Sequence, residues 1–453
     1  LLPENLAGKS VLSSDGNTMY AISDSGVMIL PVGSLSQHHR VAASVEDLVF
    51  RGNFCDRRVA TQEIVIANPG GGATDFAIAS LVPGVSVTPQ SGRTPAVVRV
   101  SVDPNVFQNQ RGTTQGLLRI ASQQAVNLVK DVRLLINMQE PDQRGTLMNV
   151  PGKLVDVLPD PTRDRFFVLR QDTNQVLVYD ARTYNLIATL RTGNTPTQMT
   201  ATFDRRYLLV GNDNSQIANV FDLETLEAQQ PIRFPGGHYP RSIAASANGI
   251  LAAVRSAAGV HKIDRIDLAS RTATELPTLG VFENNINLNT MLVGSPNGST
   301  IIAAQADGTF LLYNANVDTF TVARKDSAAA SGAVAASSLD FYVVGNSLLN
   351  SSLVRVRDFG VTAGVSSGFA FIDQGGLRTT AATPASPGLI HRVDLSTSST
   401  RATRLVEAPV LGTTGAVFTR SLAPLYSRSA IINLTTSGFT VLPWSYDASV
   451  AVP

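Results

Sequence analysis

Short runs of alternating apolar and polar residues fill the chain, separated by Gly, Pro, Asn, Asp and Ser clusters. Alternation with a period of two places one side chain in a core and the next in water, which is the pattern of a β-strand. Helical periodicity is scarce, so the expected class is all-β. From Val176 to Leu268 the runs also repeat one another. V-L-V-Y-D-A-R-T-Y at 176–184 returns as A-N-V-F-D-L-E-T-L at 218–226, so that Asp180 recurs as Asp222, 42 positions on. A period of this size, built from short strands, is the signature of a four-stranded propeller blade.

Middle strands are expected at 165–170, 206–211, 249–255, 299–305, 340–345, 377–383 and 424–430. The markers Val168, Leu209, Ala252, Ile302 and Val343 step by 41, 43, 50 and 41 residues. The N-terminal region adds one more unit. Lys9–Ser13 and Thr18–Ser23 flank a Ser-Asp-Gly-Asn turn, and Val27–Val32 follows Ser25-Gly26. The last unit, 415–442, ends in F-T-V-L-P after a Ser-Gly, echoing V-M-I-L-P at 27–31. The count therefore favours eight blades, with seven as the alternative. The ring is expected to close through Leu1–Leu6 pairing with the last blade, since an open ring leaves strand edges exposed. Ala328–Ser338, rich in small residues, reads as a loop followed by an inner strand.

Residues 45–138 break the 42-residue beat. Strands at 62–67, 75–80, 85–88, 97–102, 116–121 and 130–136 alternate with Gly and Pro turns, which suggests an immunoglobulin-like β-sandwich. The expected domains are a first blade over 1–43, an inserted sandwich over 44–140, the rest of the propeller over 141–445, and a linker over 446–453. Thr146–Val150 would supply the missing outermost strand of the first blade. Insertion at a blade-edge loop is physically cheap, because the loop ends need only stay close.

The sandwich segment resembles bacterial immunoglobulin-like modules of the BACON and related types. The resemblance rests on Leu48-Val49-Phe50, I-V-I-A-N-P-G-G-G at 64–72, V-T-P-Q-S-G-R-T-P at 87–95, V-S-V-D-P at 100–104 and V-R-L-L-I at 132–136. The blades resemble bacterial YVTN-type propellers, related to the WD40 and NHL groups. That resemblance rests on Val178-Tyr179-Asp180, I-A-T-L-R-T-G-N-T-P at 187–196 and F-D-R-R-Y-L-L-V at 203–210, although the Tyr-Val-Thr-Asn tetrad is absent. Taken whole, the chain resembles large exported proteins of soil acidobacteria in which a propeller carries an immunoglobulin-like insert. These resemblances imply an exported, secreted or cell-surface bacterial protein. They bring no activity with them.

Composition narrows the function classes. The net charge is +1 and charged residues make up 16%, so there is no field to gather nucleic acid or an anionic membrane. No apolar run approaches the ~18 residues a membrane span needs. Cys55 is the single cysteine, which excludes an internal disulfide, a thiolate zinc site and a CxxC redox pair. The adjacent His38 and His39 point to opposite sides of an extended chain and read as part of a solvated connector. The first residue, Leu1, is expected to begin a mature or trimmed fragment, its signal peptide removed.

Catalytic motifs are missing: no G-x-S-x-G, P-loop or dinucleotide-binding glycine fingerprint occurs. His261-Lys262-Ile263-Asp264 and His391-Arg392-Val393-Asp394 share one form, on comparable strands of different blades, and read as structural. Loops leading into inner strands converge on one face of a propeller axis. They place Gln198, His238, Tyr239, Arg241 and Asn285 as candidate ligand-binding residues, able to meet a sugar, a peptide or a carboxylate. No catalytic residue, metal ligand or cofactor is assigned. The favoured function is a non-enzymatic exported binding or scaffolding protein with a protein or polysaccharide partner, acting as a monomer or within a larger multi-module chain. The alternative is a propeller hydrolase or lyase, such as a lactonase or glycan lyase, with a central-face active site.

Overall fold

Two burial patterns distinguish the two halves of the chain. In Ala60–Ala67 and Ala96–Val102 every second residue is buried or half-buried and the residues between are more exposed. In Arg165–Arg170 and Thr300–Gln305 nearly every residue is buried, on both faces. The first pattern belongs to a sheet with one face in water, the second to a sheet packed between two others. The computed structural model describes residues 6–23, 26–33, 38–51, 58–70, 72–107, 114–127, 129–137, 146–326, 328–360, 366–372, 375–380, 388–397, 399–405 and 417–444. Among them every regular element is a strand except a 3-10 turn at Pro104–Phe107. No helix among the described residues is long and apolar enough to cross a membrane. The chain divides into two compact units, Leu1–Glu140 and Pro141–Pro453.

In the first unit, Leu6–Leu12, Thr18–Ser23 and Gly26–Pro31 form a three-stranded antiparallel sheet. A two-sheet β-sandwich follows. One sheet orders Ala42–Ala43, Ala60–Ala67, Ala96–Val102 and Val85–Thr88. The other orders Asp47–Arg51, Val132–Asn137, Thr114–Ala121, Asp75–Ser80 and Ser91–Arg93. Asp47–Arg51 and Val132–Asn137 run parallel; every other pair in these two sheets is antiparallel. The inward residues, among them Phe50, Ile66, Phe76, Val100, Leu118 and Leu134, form one core. His39 is tied to this unit, its Nδ1 lying 2.8 Å from Thr74 Oγ1. Cys55 lies outside the described residues.

Among the described residues, the second unit is a propeller of seven blades, each four antiparallel strands. Blades 1 to 6 begin with the inner strands Leu154–Pro159, Pro196–Ala201, His238–Ala245, Thr290–Gly294, Gly332–Ala336 and Ser366–Ile372. Blade 7 is Leu422–Pro424, Ala430–Thr435 and Gly438–Pro443, completed by Thr146–Asn149 on its outer edge. Each inner strand meets the next, and that of blade 7 meets that of blade 1. Seven separate apolar clusters fill the seven interfaces between blades. At the seam between blades 7 and 1, Phe439 packs edge-on against Phe166 at 5.1 Å and Tyr179 at 4.9 Å.

This corrects the favoured count of eight blades. The three N-terminal strands pair only with one another among the described residues. Their alternation is that of a blade, and this is what the sequence offers as an eighth unit. Thr146–Asn149 belongs to the last blade, not the first, and it closes the ring. Leu6 pairs with Ser23; residues 1–5 and the linker at 446–453 lie outside the described residues. The sandwich precedes the ring in the chain instead of interrupting a blade. The middle strand of blade 7 is Ala430–Thr435, because 425–429 is its turn. The long 50-residue step reflects an extra hairpin, Thr278–Leu279 with Phe282–Glu283, between blades 3 and 4.

The repeat has a physical origin in the turn between third and fourth strands. Asp180 Oδ1 accepts from the amides of Arg182 (3.0 Å) and Thr183 (2.7 Å). Asp222 does the same for Glu224 (2.7 Å) and Thr225 (3.0 Å), and Asp394 for Ser396 (2.8 Å) and Thr397 (3.2 Å). Asp267 accepts from Ala269 and Asn314 from Asn316, both at 2.9 Å. Four residues after Asp180, Asp222, Asp267 and Asn314, the chain turns at positive φ: Tyr184 (58°), Leu226 (63°), Arg271 (57°) and Asp318 (53°). A short acceptor side chain satisfies the turn amides, which is why Asp or Asn recurs there.

Candidate functional site

An inner strand has a free edge at the ring axis, and its unpaired amides and carbonyls need partners. Neighbouring blades supply them. Asp156 Oδ2 accepts from the Met199 amide at 2.7 Å. Ser242 Oγ accepts from the Leu292 amide at 2.7 Å and donates to Gln198 Oε1. Gln198 Nε2 donates to the Leu292 carbonyl at 3.0 Å. Asp156, Gln198 and Ser242 each follow a bulge in their inner strand, and the bulge turns the side chain toward the next blade. All three are buried.

The segment leading into blade 7 crosses this axis. Phe418–Thr419 pairs in parallel with Gly332 and Ala333 of blade 5. Gly332 sits at φ +87°, and a Cβ there would meet the Ser366 carbonyl at 2.1 Å, so only glycine fits. Two residues on, Arg420 forms a bidentate pair with Asp156 of blade 1, Nε to Oδ1 at 2.8 Å and Nη2 to Oδ2 at 2.5 Å. The same Nη2 donates to the Met199 carbonyl of blade 2 at 2.6 Å. Thr419 Oγ1 and Ser421 Oγ donate to the Ser367 carbonyl of blade 6, at 2.5 and 3.0 Å. Burial pushes the Asp156 carboxyl up, while Arg420 and the amides of Met199 and Val157 pull it down.

Beside this crossing lies a cavity of about 110 Å³, lined in part by Thr197, Gln198, Arg241, Asn289, Thr290 and Phe418. The structure brings two of the five candidate residues to it. Gln198 is committed to the collar. Arg241 reaches across the rim, donating to the Leu288 carbonyl (2.8 Å) and Asn289 Oδ1 (3.3 Å), with Asp213 3.4 Å from its Nε.

The other three lie elsewhere. His238 Nδ1 is 2.8 Å from Asp264 Oδ2, and its Nε2 faces Glu275 at 3.9 Å, so the ring points along blade 3. Tyr239 lies under the Arg255 guanidinium, 4.3 Å from its ring centre. Asn285 is exposed beyond the extra hairpin, next to the bridge between His261 and Ile286. That hairpin displaces blade 4, and the residues at the expected place are Thr290 and Met291. The bulges before Gln198 and Ser242 make these two residues equivalent, so Arg241 corresponds to Thr197 and not to Gln198.

Asp156, Ser242 and Arg420 were missed. The signal for Asp156 was a carboxylate inside the apolar run Leu154-Val155-Asp156-Val157-Leu158. Arg420 had no local signal. The two H-x-x-D motifs also differ in register. Asp394 is a turn anchor like Asp267, so His391, not Asp394, corresponds to Asp264. His261 Nδ1 accepts from the Ser256 amide at 3.2 Å, and burial pushes this ring down, with Arg241 and Arg255 adding to the effect. Among the described residues no group of three His, Cys, Asp or Glu is placed to hold a metal.

A second, wider cleft of about 550 Å³ lies between blades 2 and 3 at their inner-to-middle turns. Phe203, Asp204, Asn248, Arg265 and Asp267 line it. Phe203 is 45% exposed, and its ring rests on Gly298, where φ is +74° and a Cβ would meet the ring at 2.4 Å.

No family profile matches the chain, and no curated protein matches it. Solved structures do. A chain of the mitotic checkpoint complex aligns with a TM-score of 0.51 and 13% identity, over 66% of this chain and 92% of that one. A chain of Kuenenia stuttgartiensis hydrazine synthase aligns with a TM-score of 0.50 and 14% identity, over 68% of this chain and 99% of that one. At such identities the likeness concerns architecture alone, and it agrees with an all-β propeller.

Proposed function

We propose that this is a non-enzymatic binding or scaffolding protein whose propeller loops and sandwich meet a protein or polysaccharide partner. The observation that supports it is the state of the axial groups. Asp156, Gln198, Ser242 and Arg420 bond to other blades, and each acts as a brace between inner strands. A cavity of about 110 Å³ admits one small group, not a sugar chain. The rim of Arg241 and Asn289 and the exposed Phe203 cleft suit contact with a larger partner, since loops on a rigid disc can vary without loss of the fold. We read the blades as YVTN-type, the sandwich as an immunoglobulin-like, BACON-like module, and the protein as exported to a bacterial surface.

The test is binding of the 453-residue chain to arrays of polysaccharides, cell-wall fragments and peptides. Saturable binding that weakens about tenfold in Arg241→Ala or Phe203→Ala, roughly the loss of one good contact, is expected. Turnover of a lactone, glycan or peptide that disappears in Arg241→Ala would replace this reading with the hydrolase or lyase one.

A further inference from the structure

Blade 6 buries a cation that has no counter-ion among the described residues. Arg378, in its middle strand Gly375–Thr380, is 2% exposed and is the largest fully buried side chain among the described residues. Its Nη2 donates to Asn346 Oδ1 of blade 5 at 2.7 Å, and its Nε–H has no partner. No carboxylate lies within 4.0 Å of it among the described residues. Asp358 acts on it only from a greater distance, and that carboxylate is engaged by Arg355 at 3.4 Å and the Gly360 amide at 2.8 Å.

The groups on the same face of the blade are also donors. Thr380, two residues on, shares the face of Arg378 by strand alternation. Ser366 is the cross-strand partner of Thr380, and His391 that of Arg378. Thr380 Oγ1 and Ser366 Oγ have no hydrogen-bond partner, although both residues are at least nine-tenths buried. Burial pushes the His391 ring down, and the neighbouring guanidinium adds to the effect. That leaves the guanidinium as the single charge of the group.

A buried charge without a counter-charge and a buried hydroxyl without a partner are both costly, and a native fold rarely keeps several together. We propose that Arg378, Thr380 and Ser366 form a binding site for a small carboxylate anion, held between blades 5 and 6. Nε–H and the second hydrogen of Nη2 lie along one edge of the guanidinium, an edge that matches the two oxygens of a carboxylate. The two hydroxyls, on the same face, supply further donors for such a ligand. One guanidinium balances one negative charge. This site is separate from the axial cavity and does not depend on the binding reading above.

Thermal unfolding of the full chain in sodium formate, against sodium chloride at equal ionic strength, tests it. The site predicts that formate raises the midpoint by a few degrees and saturates, as ligand linkage requires. Arg378→Met removes the rise. Thr380→Val, close in shape to the native residue, keeps the fold testable if Arg378→Met does not fold. In chloride this variant unfolds higher than wild type, because an orphaned hydroxyl is gone. In formate its half-saturating concentration rises about tenfold. Equal midpoints for wild type in formate and chloride, or a formate rise unchanged in Thr380→Val and Arg378→Met, would overturn the site.

Discussion

Arg420 and Asp156 stand 264 residues apart in the chain and meet in a bidentate ion pair at the propeller axis. The pair ties the segment before the last blade to the inner strand of the first, while the Met199 amide and carbonyl bind it to the second. Removing one partner leaves the other as a buried, unpaired charge. Arg420→Met should therefore cost about 3–5 kcal/mol, read from urea unfolding. Combining it with Asp156→Leu should cost less than the two single changes added together. Strict additivity would mean that the pair does not couple the blades.

Gln198→Ala removes one acceptor and one donor from the collar. Ser242 Oγ and the Leu292 carbonyl lose a buried partner, a loss of about 1–3 kcal/mol. An unchanged denaturation midpoint would show that water replaces the amide.

The seam depends on a strand of four residues. Leu147 is 4% exposed and pairs with Thr440. Leu147→Ala should cost about 2–5 kcal/mol. It should also speed amide exchange in Gly438–Pro443 ahead of the other blades. Uniform exchange throughout the ring would contradict a local seam.

The turn aspartates make stability depend on acid. The Thr183 amide and hydroxyl hold Asp180 below the usual carboxylate range, and the Thr225 and Glu224 amides do so for Asp222. A carboxyl depressed in the folded state stabilises it above the unfolded value of about 3.9. That contribution disappears as pH falls through the folded value. Urea midpoints between pH 6 and 3 should drop more in wild type than in Asp180→Asn with Asp222→Asn, since asparagine keeps the turn acceptor without the titration. Parallel curves would show that these turns play no part.

The strands and their turn chemistry were legible because both are local. Asp75–Ser80, Val85–Thr88 and Arg165–Arg170 match their sequence expectations residue for residue. The number of blades was not legible. Tyr20 and Ile22 alternate with Met19 and Ala21 as blade residues do, and only long-range pairing reveals that their sheet completes no blade among the described residues. Gln198 and Arg241 could be placed by their positions after loops. Asn285 could not, because the extra hairpin shifts the register of blade 4. Arg420 was invisible, since its partner lies at the far end of the ring sequence.

The strand at Thr146–Asn149 leaves the ribosome long before the residues it pairs with. At typical synthesis rates the delay to Gly438–Pro443 is roughly 15 to 60 s. During that interval six blades can assemble as a growing stack, while the seventh cannot be completed. A nascent chain halted before residue 438 would thus expose a lone apolar strand and two unsealed sheet faces, a natural target for holding chaperones.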